Sequence, residues 1–494
     1  MRINLLARIS PAVLAAWACV VGCTHGSAEN GPGDRGPAVS APASSERTHP
    51  AFAADDIFLA PPVVRVATYN VSLHRSKAGE LVADLRTGKD AQAARLASVI
   101  QHIRPDVLLL NEFDFDAGGE AADLFCRLYL GISQGPGLEP LVYPHRFLAA
   151  SNTGIPSGHD LDRSGQAVTE PGSRLYGNDC FGYGEYPGQY AMLLLSRHPI
   201  LHAHARTFRL LRWSDMPSAL RPMLPGPDAK PGAEPWHTDA AWAELRLSSK
   251  SHWDVPVLVQ ARPAGWFSAP AWRVVHILAS HPTPPAFDGP ERRNVLRNHD
   301  EIRFWVDYLS PGKAGYIRDD QGRTGGLAAN AAFVIVGDLN ADPADGSGLR
   351  EGIGALLRHQ RVNAGFVPVS LGGPEAARLQ GQANQNHKGD PAADTADFSD
   401  ARVGNLRVDY ALPSANLRVL GGAVFWPPTS DPAGELVGME PSVMTSDHRM
   451  VYVDVLVETA AQTAEPPTPG DSDASRESVG RAVKSPADPG RNGA

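Results

Sequence analysis

Positive charge is in short supply in this sequence. Lys and Arg number 45 against 54 Asp and Glu, a formal net charge of −9. That balance excludes a global electrostatic footprint for nucleic acid, so any DNA or RNA contact must rest on a local basic patch. Cysteine is nearly absent, with four in 494 residues, which excludes a disulfide-built scaffold. Beyond Val21 no apolar run is long enough to span a bilayer. Nothing repeats at solenoid or propeller spacing. What remains is ordinary globular composition, enough for one large domain or two to three average ones.

The N-terminus reads as a targeting segment. Arg2 and Arg8 form a positive region, and an apolar run from Ile9 to Val21 follows, interrupted by Pro11. The run matches a secretory signal and ends Val20-Val21-Gly22-Cys23. Small residues before a cysteine resemble a bacterial lipoprotein processing site. Residues 1–22 are therefore expected to be removed and Cys23 to carry a lipid, giving an exported, membrane-tethered protein, at the outer membrane or cell surface. An ordinary signal peptide cut near Gly26 or Ala28, leaving a periplasmic or secreted protein, is the alternative. Residues 23–61 read as a flexible tether, 62–458 as the ordered body and 459–494 as a disordered Pro-, Ala- and Ser-rich tail. Cys126 and Cys180 remain in the body, where an oxidising compartment permits a bridge; two buried free thiols are the other reading.

Inside the body, strands alternate with helices. Val64–Tyr69 and Asp106–Leu110 read as strands, with helical spacing at Leu96, Val99, Ile100 and Ile103 between them and a stop at Pro105. Further strands are expected at Tyr190–Leu195, Ala241–Leu247, Arg273–Ala279, Phe333–Val336, Leu406–Leu412 and Met450–Leu456, and a helix at Arg292–Leu309. Many strands with few helices suggest stacked sheets with helices outside.

The polar residues worth noticing sit at strand ends. Asn70 follows the first strand and Asn111-Glu112 the second. Ser280-His281, Gly337-Asp338-Leu339-Asn340 and Ser446-Asp447-His448 flank later strands, and Asp409-Tyr410 lies within one. Brought together, these acids, amides and imidazoles suit metal-assisted phosphoester hydrolysis. Carboxylates hold a hard cation through oxygen, and the cation neutralises phosphate charge. A His–Asp pair serves water activation, and Asn side chains donate to phosphoryl oxygens without adding charge.

These segments, with Thr68-Tyr69-Asn70 and Arg407-Val408 before Asp409, occur in the order of the endonuclease/exonuclease/phosphatase superfamily, which the ordered body resembles along nearly its whole length. The resemblance implies an α+β fold, a four-layer α/β/β/α sandwich of two mostly antiparallel sheets with outer helices. It implies Glu112 as principal Mg²⁺ ligand, with Asn70 beside it and Asp447 a further ligand; Mn²⁺ or Ca²⁺ are alternatives. His448 is then the residue that activates water or holds phosphate, Asp409 orients it, Asp338 positions the nucleophile and Asn340 contacts phosphate. His281 stands where several branches of the superfamily carry a His that contacts phosphate or assists the leaving group.

Four features go beyond the shared motifs. Asp160-Leu161-Asp162-Arg163-Ser164-Gly165 resembles the start of a calcium loop, or a plain turn. Ser249-Lys250-Ser251-His252-Trp253-Asp254 reads as a loop that lines the phosphate pocket or caps a hairpin. Arg292 and Arg297 follow on a helix. Asn384–Asp400, with His387, Lys388, Asp390, Asp394 and Asp397, reads as a solvated loop or a substrate contact. Three functions stay open: a phosphodiesterase or nuclease, a hydrolase of small or lipid phosphate esters, and a non-catalytic binding lipoprotein. Oligomeric state is not legible.

Overall fold

Two sheets are laid down by apolar strands whose alternate residues face opposite layers. The computed structural model describes residues 63–226, 231–262, 271–437 and 445–458. The signal segment, Cys23, the tether and the C-terminal tail lie outside the described residues. In chain order the strands are β1 (Val63–Leu73), β2 (Val107–Phe113), β3 (His145–Phe147), β4 (Met192–Ser196), β5 (Arg206–Thr207), β6 (Met223–Pro225) and β7 (Pro231–Pro235). There follow β8 (His252–Arg262), β9 (Ala271–Ser280), β10 (Ala332–Asp338), β11 (Ala396–Asp397), β12 (Asn405–Leu406), β13 (Asp409–Pro413), β14 (Arg418–Val424) and β15 (Val451–Leu456).

A six-stranded sheet runs β14-β15-β1-β2-β4-β3, and a five-stranded sheet runs β13-β10-β9-β8-β5. Within them β1–β2 and β9–β10 pair in parallel. The other neighbours pair antiparallel. β10 shows how the layers are built. Ala332, Val334 and Val336 enter the core shared with β1, β2 and β15, while Phe333 and Ile335 enter a second core. That second core also holds Ile302, Phe304, Trp305, Tyr308 and Leu309 of the helix Arg293–Leu309. On the far side, Leu96, Val99, Ile100 and Ile103 of the helix Ala91–Ile103 join the first core. The result is the expected four-layer sandwich of two mostly antiparallel sheets between helices.

Helix Ala91–Ile103 begins where Asp90 accepts a hydrogen bond from Ala93 N at 2.7 Å, and it ends with Arg104 in the left-handed region at φ 55°. Pro105 follows, as expected.

Three expectations change, and the open alternative for the two cysteines is decided. Ala241–Leu247 is not a strand: Asp239–Glu244 is helical, because Thr238 caps Ala241 N at 3.2 Å. Ala241 and Leu245, four apart, share the buried face. Leu406–Leu412 is two strands rather than one, broken at Arg407-Val408. His252-Trp253-Asp254 are the first residues of β8 rather than loop, held by pairing with Leu278–Ser280. Cys126 and Cys180 are both free; burial pushes each thiol up to about 12. Among the described residues no helix is long and apolar enough to cross a membrane.

Candidate active site at the strand ends

The parallel pairs carry the site, because their C-terminal ends point the same way. β1 and β2 deliver Asn70 and Glu112; β10 and β9 deliver Asp338 and His281. β1 does not stop at Asn70 but continues to Leu73 through a bulge. Within this region three non-glycine residues hold left-handed backbones: Ser72 (φ 45°), Glu112 (φ 57°) and Asn340 (φ 51°). Each costs about 1–3 kcal/mol and persists only when its surroundings impose it. Gly337 is required by close approach: a Cβ there would meet Ser280 O at 1.9 Å.

Asp338 is the hub. Its Oδ2 accepts from Asn70 Nδ2 at 3.1 Å and from Asn340 Nδ2 at 3.3 Å. His281 Nε2 lies 3.4 Å from the same oxygen and His448 Nε2 3.7 Å. Asp338 Oδ1 accepts from Asn340 N at 2.9 Å. Asn70 Nδ2 also donates to Glu112 Oε1 at 3.1 Å, joining the two sheets' contributions. On the far side of His448, Nδ1 meets Asp409 Oδ2 at 2.8 Å, and that oxygen accepts from Thr395 Oγ1 at 2.9 Å. Ser446 Oγ donates to Asn70 O at 2.7 Å and accepts from His448 N at 3.1 Å, which fixes the last loop to β1.

Electrostatics follow burial. Burial pushes the Asp338 carboxyl up to about 6; Asp409 adds to this and His448 opposes it. Burial disfavours charge on His448, but Asp409 and Asp338 outweigh it and hold the imidazolium well above the ordinary range. His281 moves the other way, pulled well below by burial and by the charges of Lys250 and His448. The two imidazoles are thus biased in opposite directions, His448 toward the charged form and His281 toward the neutral one.

Glu112 differs from these groups in exposure: its side chain is 22% exposed, against 2% for Asp338. Its Oε2 faces His74 Nε2 at 3.6 Å. Asp447 sits one hydroxyl away, since Ser72 donates through Oγ to Asp447 Oδ1 at 3.2 Å and through N to Asn70 Oδ1 at 3.1 Å. Two donor sets could hold a divalent ion. Asp338, Asp409 and His448 offer ligand atoms within 4.8 Å of one another. Asp409 Oδ2 already meets His448 Nδ1 and Thr395 Oγ1, and Asp338 Oδ2 already accepts from Asn70 and Asn340, so the more open Glu112 side fits a hard cation better. Asp160, Asp162 and Asp179 also cluster within 4.8 Å. Their oxygens are taken up by Ser164 N, Gly165 N, Leu161 N, Val168 N and Asn178 Nδ2, as in a self-closed turn.

Sequence reasoning missed the supports. Glu301, on the helix Arg293–Leu309, accepts from Ser249 N and Thr283 N, each at 2.6 Å. Asn298, three residues earlier, donates to Thr283 O at 2.9 Å and Leu339 O at 3.0 Å. Together they tie the loops carrying Lys250, His281 and Asn340. Polar residues three apart on the buried side of an amphipathic helix were the available signal. Arg297 spends its donors on Leu247 O, Phe181 O and Arg246 O, so it braces loops. The stretch Asn384–Asp400 is not merely solvated. Thr395 holds Asp409, Phe398 packs edge-on to His448 at 5.4 Å, and Asp397 pairs with buried Arg449 at 3.1 Å. His387 Nε2 instead faces Val403 O at 2.9 Å.

The model of the endonuclease/exonuclease/phosphatase family matches residues 67–448, and the chain belongs to that family. Its members are, in general, phosphoester hydrolases. Among solved structures, the endonuclease/exonuclease/phosphatase from Beutenbergia cavernae is 16% identical, covering 80% of this chain and 72% of its own, with a TM-score of 0.38. Sphingomyelinase C from Streptomyces griseocarneus is 14% identical, covering 80% and 99%, with a TM-score of 0.37. A mannosyl-6-phosphatase from Bacteroides thetaiotaomicron is 12% identical, covering 79% and 99%, with a TM-score of 0.36. No curated protein matches.

Proposed function

We propose that this protein is a divalent-metal-dependent phosphodiesterase that uses Mg²⁺ and acts outside the cytoplasm. The observation that carries the reading is the hub: one buried carboxylate oxygen of Asp338 with four side-chain nitrogens around it, bridged by Asn70 to the more exposed Glu112. Glu112, with Asn70 and Asp447 near it, holds the ion. When bound, the ion neutralises charge on the phosphoryl group and on the departing oxygen.

The chain's own groups supply the rest. Asp338 positions water and takes its proton, a task suited to a carboxyl raised to about 6. His448, charged and fixed by Asp409, turns Nε2 toward the reacting centre and stabilises negative charge developing on the phosphoryl oxygens. Asn340 and neutral His281 contact further oxygens, and His281 stands ready beside the leaving group. Export and a lipid on Cys23 place this chemistry at a membrane surface. Palmitate labelling that survives Cys23→Ser would remove the tether from the reading.

The test is turnover of bis(p-nitrophenyl) phosphate, p-nitrophenyl phosphate and supercoiled plasmid with Mg²⁺, Mn²⁺ or Ca²⁺. Diester turnover with plasmid nicking supports a nuclease. Monoester turnover alone selects a hydrolase of small phosphate esters, including lipid head groups. Folded, metal-binding protein that turns over none of them favours a binding role and ends the enzymatic reading.

A further inference from the structure

We propose that Lys250 is an anion-binding residue of this site, placed to hold a non-bridging phosphoryl oxygen of the substrate. The proposal deepens the phosphoesterase reading and rests on it. Lys250 lies just ahead of β8. The β8–β9 ladder pairs His252 with Ser280. Continuing that register by two residues sets Lys250 beside the His281-Pro282 step. The backbone there is clamped from several sides. Asn152 N donates to Lys250 O at 2.9 Å, Asn152 Nδ2 donates to Ser248 O at 2.8 Å, and Ser249 N donates to Glu301 Oε1 at 2.6 Å. Gly182 completes the clamp, since a Cβ there would meet Ser249 O at 1.7 Å.

The side chain held by this clamp is an anomaly. Lys250 is only 7% exposed, yet its ammonium forms no hydrogen bond or ion pair with any described residue. Lysine is almost never buried unless paired. The acids whose fields reach it are Glu301, Glu112 and Asp338, and it in turn presses on His281. Those acids have other partners. Glu301 is saturated by Ser249 N and Thr283 N, Glu112 accepts from Asn70, and Asp338 from Asn70 and Asn340. Two more polar atoms on the same rim, Ser249 Oγ and His281 Nδ1, are buried without a partner. A cation with three free donors, fixed beside a phosphoester site, has the chemistry of a ligand for phosphoryl oxygen, which it meets as a compact point charge. A purely structural lysine would instead serve as counter-charge to buried Glu301 and Asp338 and the half-buried Glu112.

The experiment separates these roles. Titration of the Mg²⁺-loaded full chain with inorganic phosphate, read by calorimetry, is compared between wild type, Lys250→Met, Lys250→Gln and Lys250→Arg. Phosphate affinity should fall at least about tenfold in the Met and Gln variants, the loss of one charged hydrogen bond. The Arg variant should recover most of it, and Tm should not fall in step. Unchanged phosphate affinity with a lowered Tm would overturn the proposal and leave Lys250 as a counter-charge. If the Met variant does not fold, equal phosphate affinity in the Gln and Arg variants overturns it as well. The calorimetric readout needs no turnover. A wild type inactive on every ester that still binds phosphate through Lys250 would sink the enzymatic reading while sparing this one.

Discussion

The two sheets repeat one motif and use it for opposite purposes. In each, a central strand is flanked by one antiparallel and one parallel neighbour: β15-β1-β2 in the first, β13-β10-β9 in the second. Matching positions meet across the sandwich. Asn70 on β1 bonds Asp338 on β10, and His448, just before β15, bonds Asp409, the first residue of β13. The outer layers then diverge. Helix Ala91–Ile103 lends the first sheet's edge Gln92, which donates to Val71 O, Ser72 O and Thr445 O at 3.0–3.3 Å. Helix Arg293–Leu309 lends the second edge buried Asn298 and Glu301. Sheet one therefore offers an acid open enough for a hard cation. Sheet two offers a sealed network that fixes protons and meets an anion. Repeating a strand pattern sets where groups can meet; the helix behind each sheet decides what they can do.

The largest test of this division removes one group from the open acid and one from the network bonded to Asp409 and Asp338. Glu112→Gln and His448→Ala should each lower kcat by at least about 10²-fold, the usual cost of losing a metal ligand or a group that works on the reacting centre. Their signatures should differ. Glu112→Gln should weaken Mg²⁺ binding, while His448→Ala should bind Mg²⁺ nearly as wild type. Near-normal rates in either variant, or equal loss of metal affinity in both, would break the comparison.

A middle-sized effect should come from the supports. Glu301→Gln replaces an acceptor of two buried N–H groups by an amide that must turn a donor toward one of them. About 2 kcal/mol of stability should go with it, and Tm should fall by a few degrees. The His281 and Lys250 loops loosen together, so KM for a diester should rise while Mg²⁺ affinity holds. Gln92→Leu acts on the other edge. It frees three carbonyls around the β1 bulge, and its effect on kcat should be smaller, within about tenfold. A Gln92 effect exceeding that of Glu301 would reverse the ranking of the two edges.

The site was more legible than its support. Asn70, Glu112, His281, Asp338, Asp409 and His448 stand at strand ends, where apolar runs stop and a polar residue has a visible reason to be. The structure brings these six together, with Asn340 beside Asp338. Asn298 and Glu301 have no such local mark, because what makes them functional is which loops cross the helix. The misread at Ala241–Leu247 has a physical cause too: a short apolar run satisfies both periodicities, and the Thr238 cap decides it. His252–Asp254 went unread as strand because β8 continues into a stretch whose pairing partner, β9, is fixed only in three dimensions.

The smallest prediction probes the margin of the second sheet. Asp394 lies next to Thr395, the residue that holds Asp409, and it is buried among Asp342, Asp345 and Asp390. Burial first, and then those three acids, push its carboxyl up to about 8. A carboxyl raised on folding favours the folded state fully only below its unfolded value near 4. The contribution is lost as pH climbs from there and is gone above the folded value. Asp394→Asn keeps a neutral group of the same shape at every pH. The variant should therefore melt close to wild type at pH 4 and progressively above it from pH 5 to pH 8, with no further gain beyond. A Tm difference for Asp394→Asn that is flat with pH would mean that the sealed, proton-holding character of the second sheet does not extend to its margin.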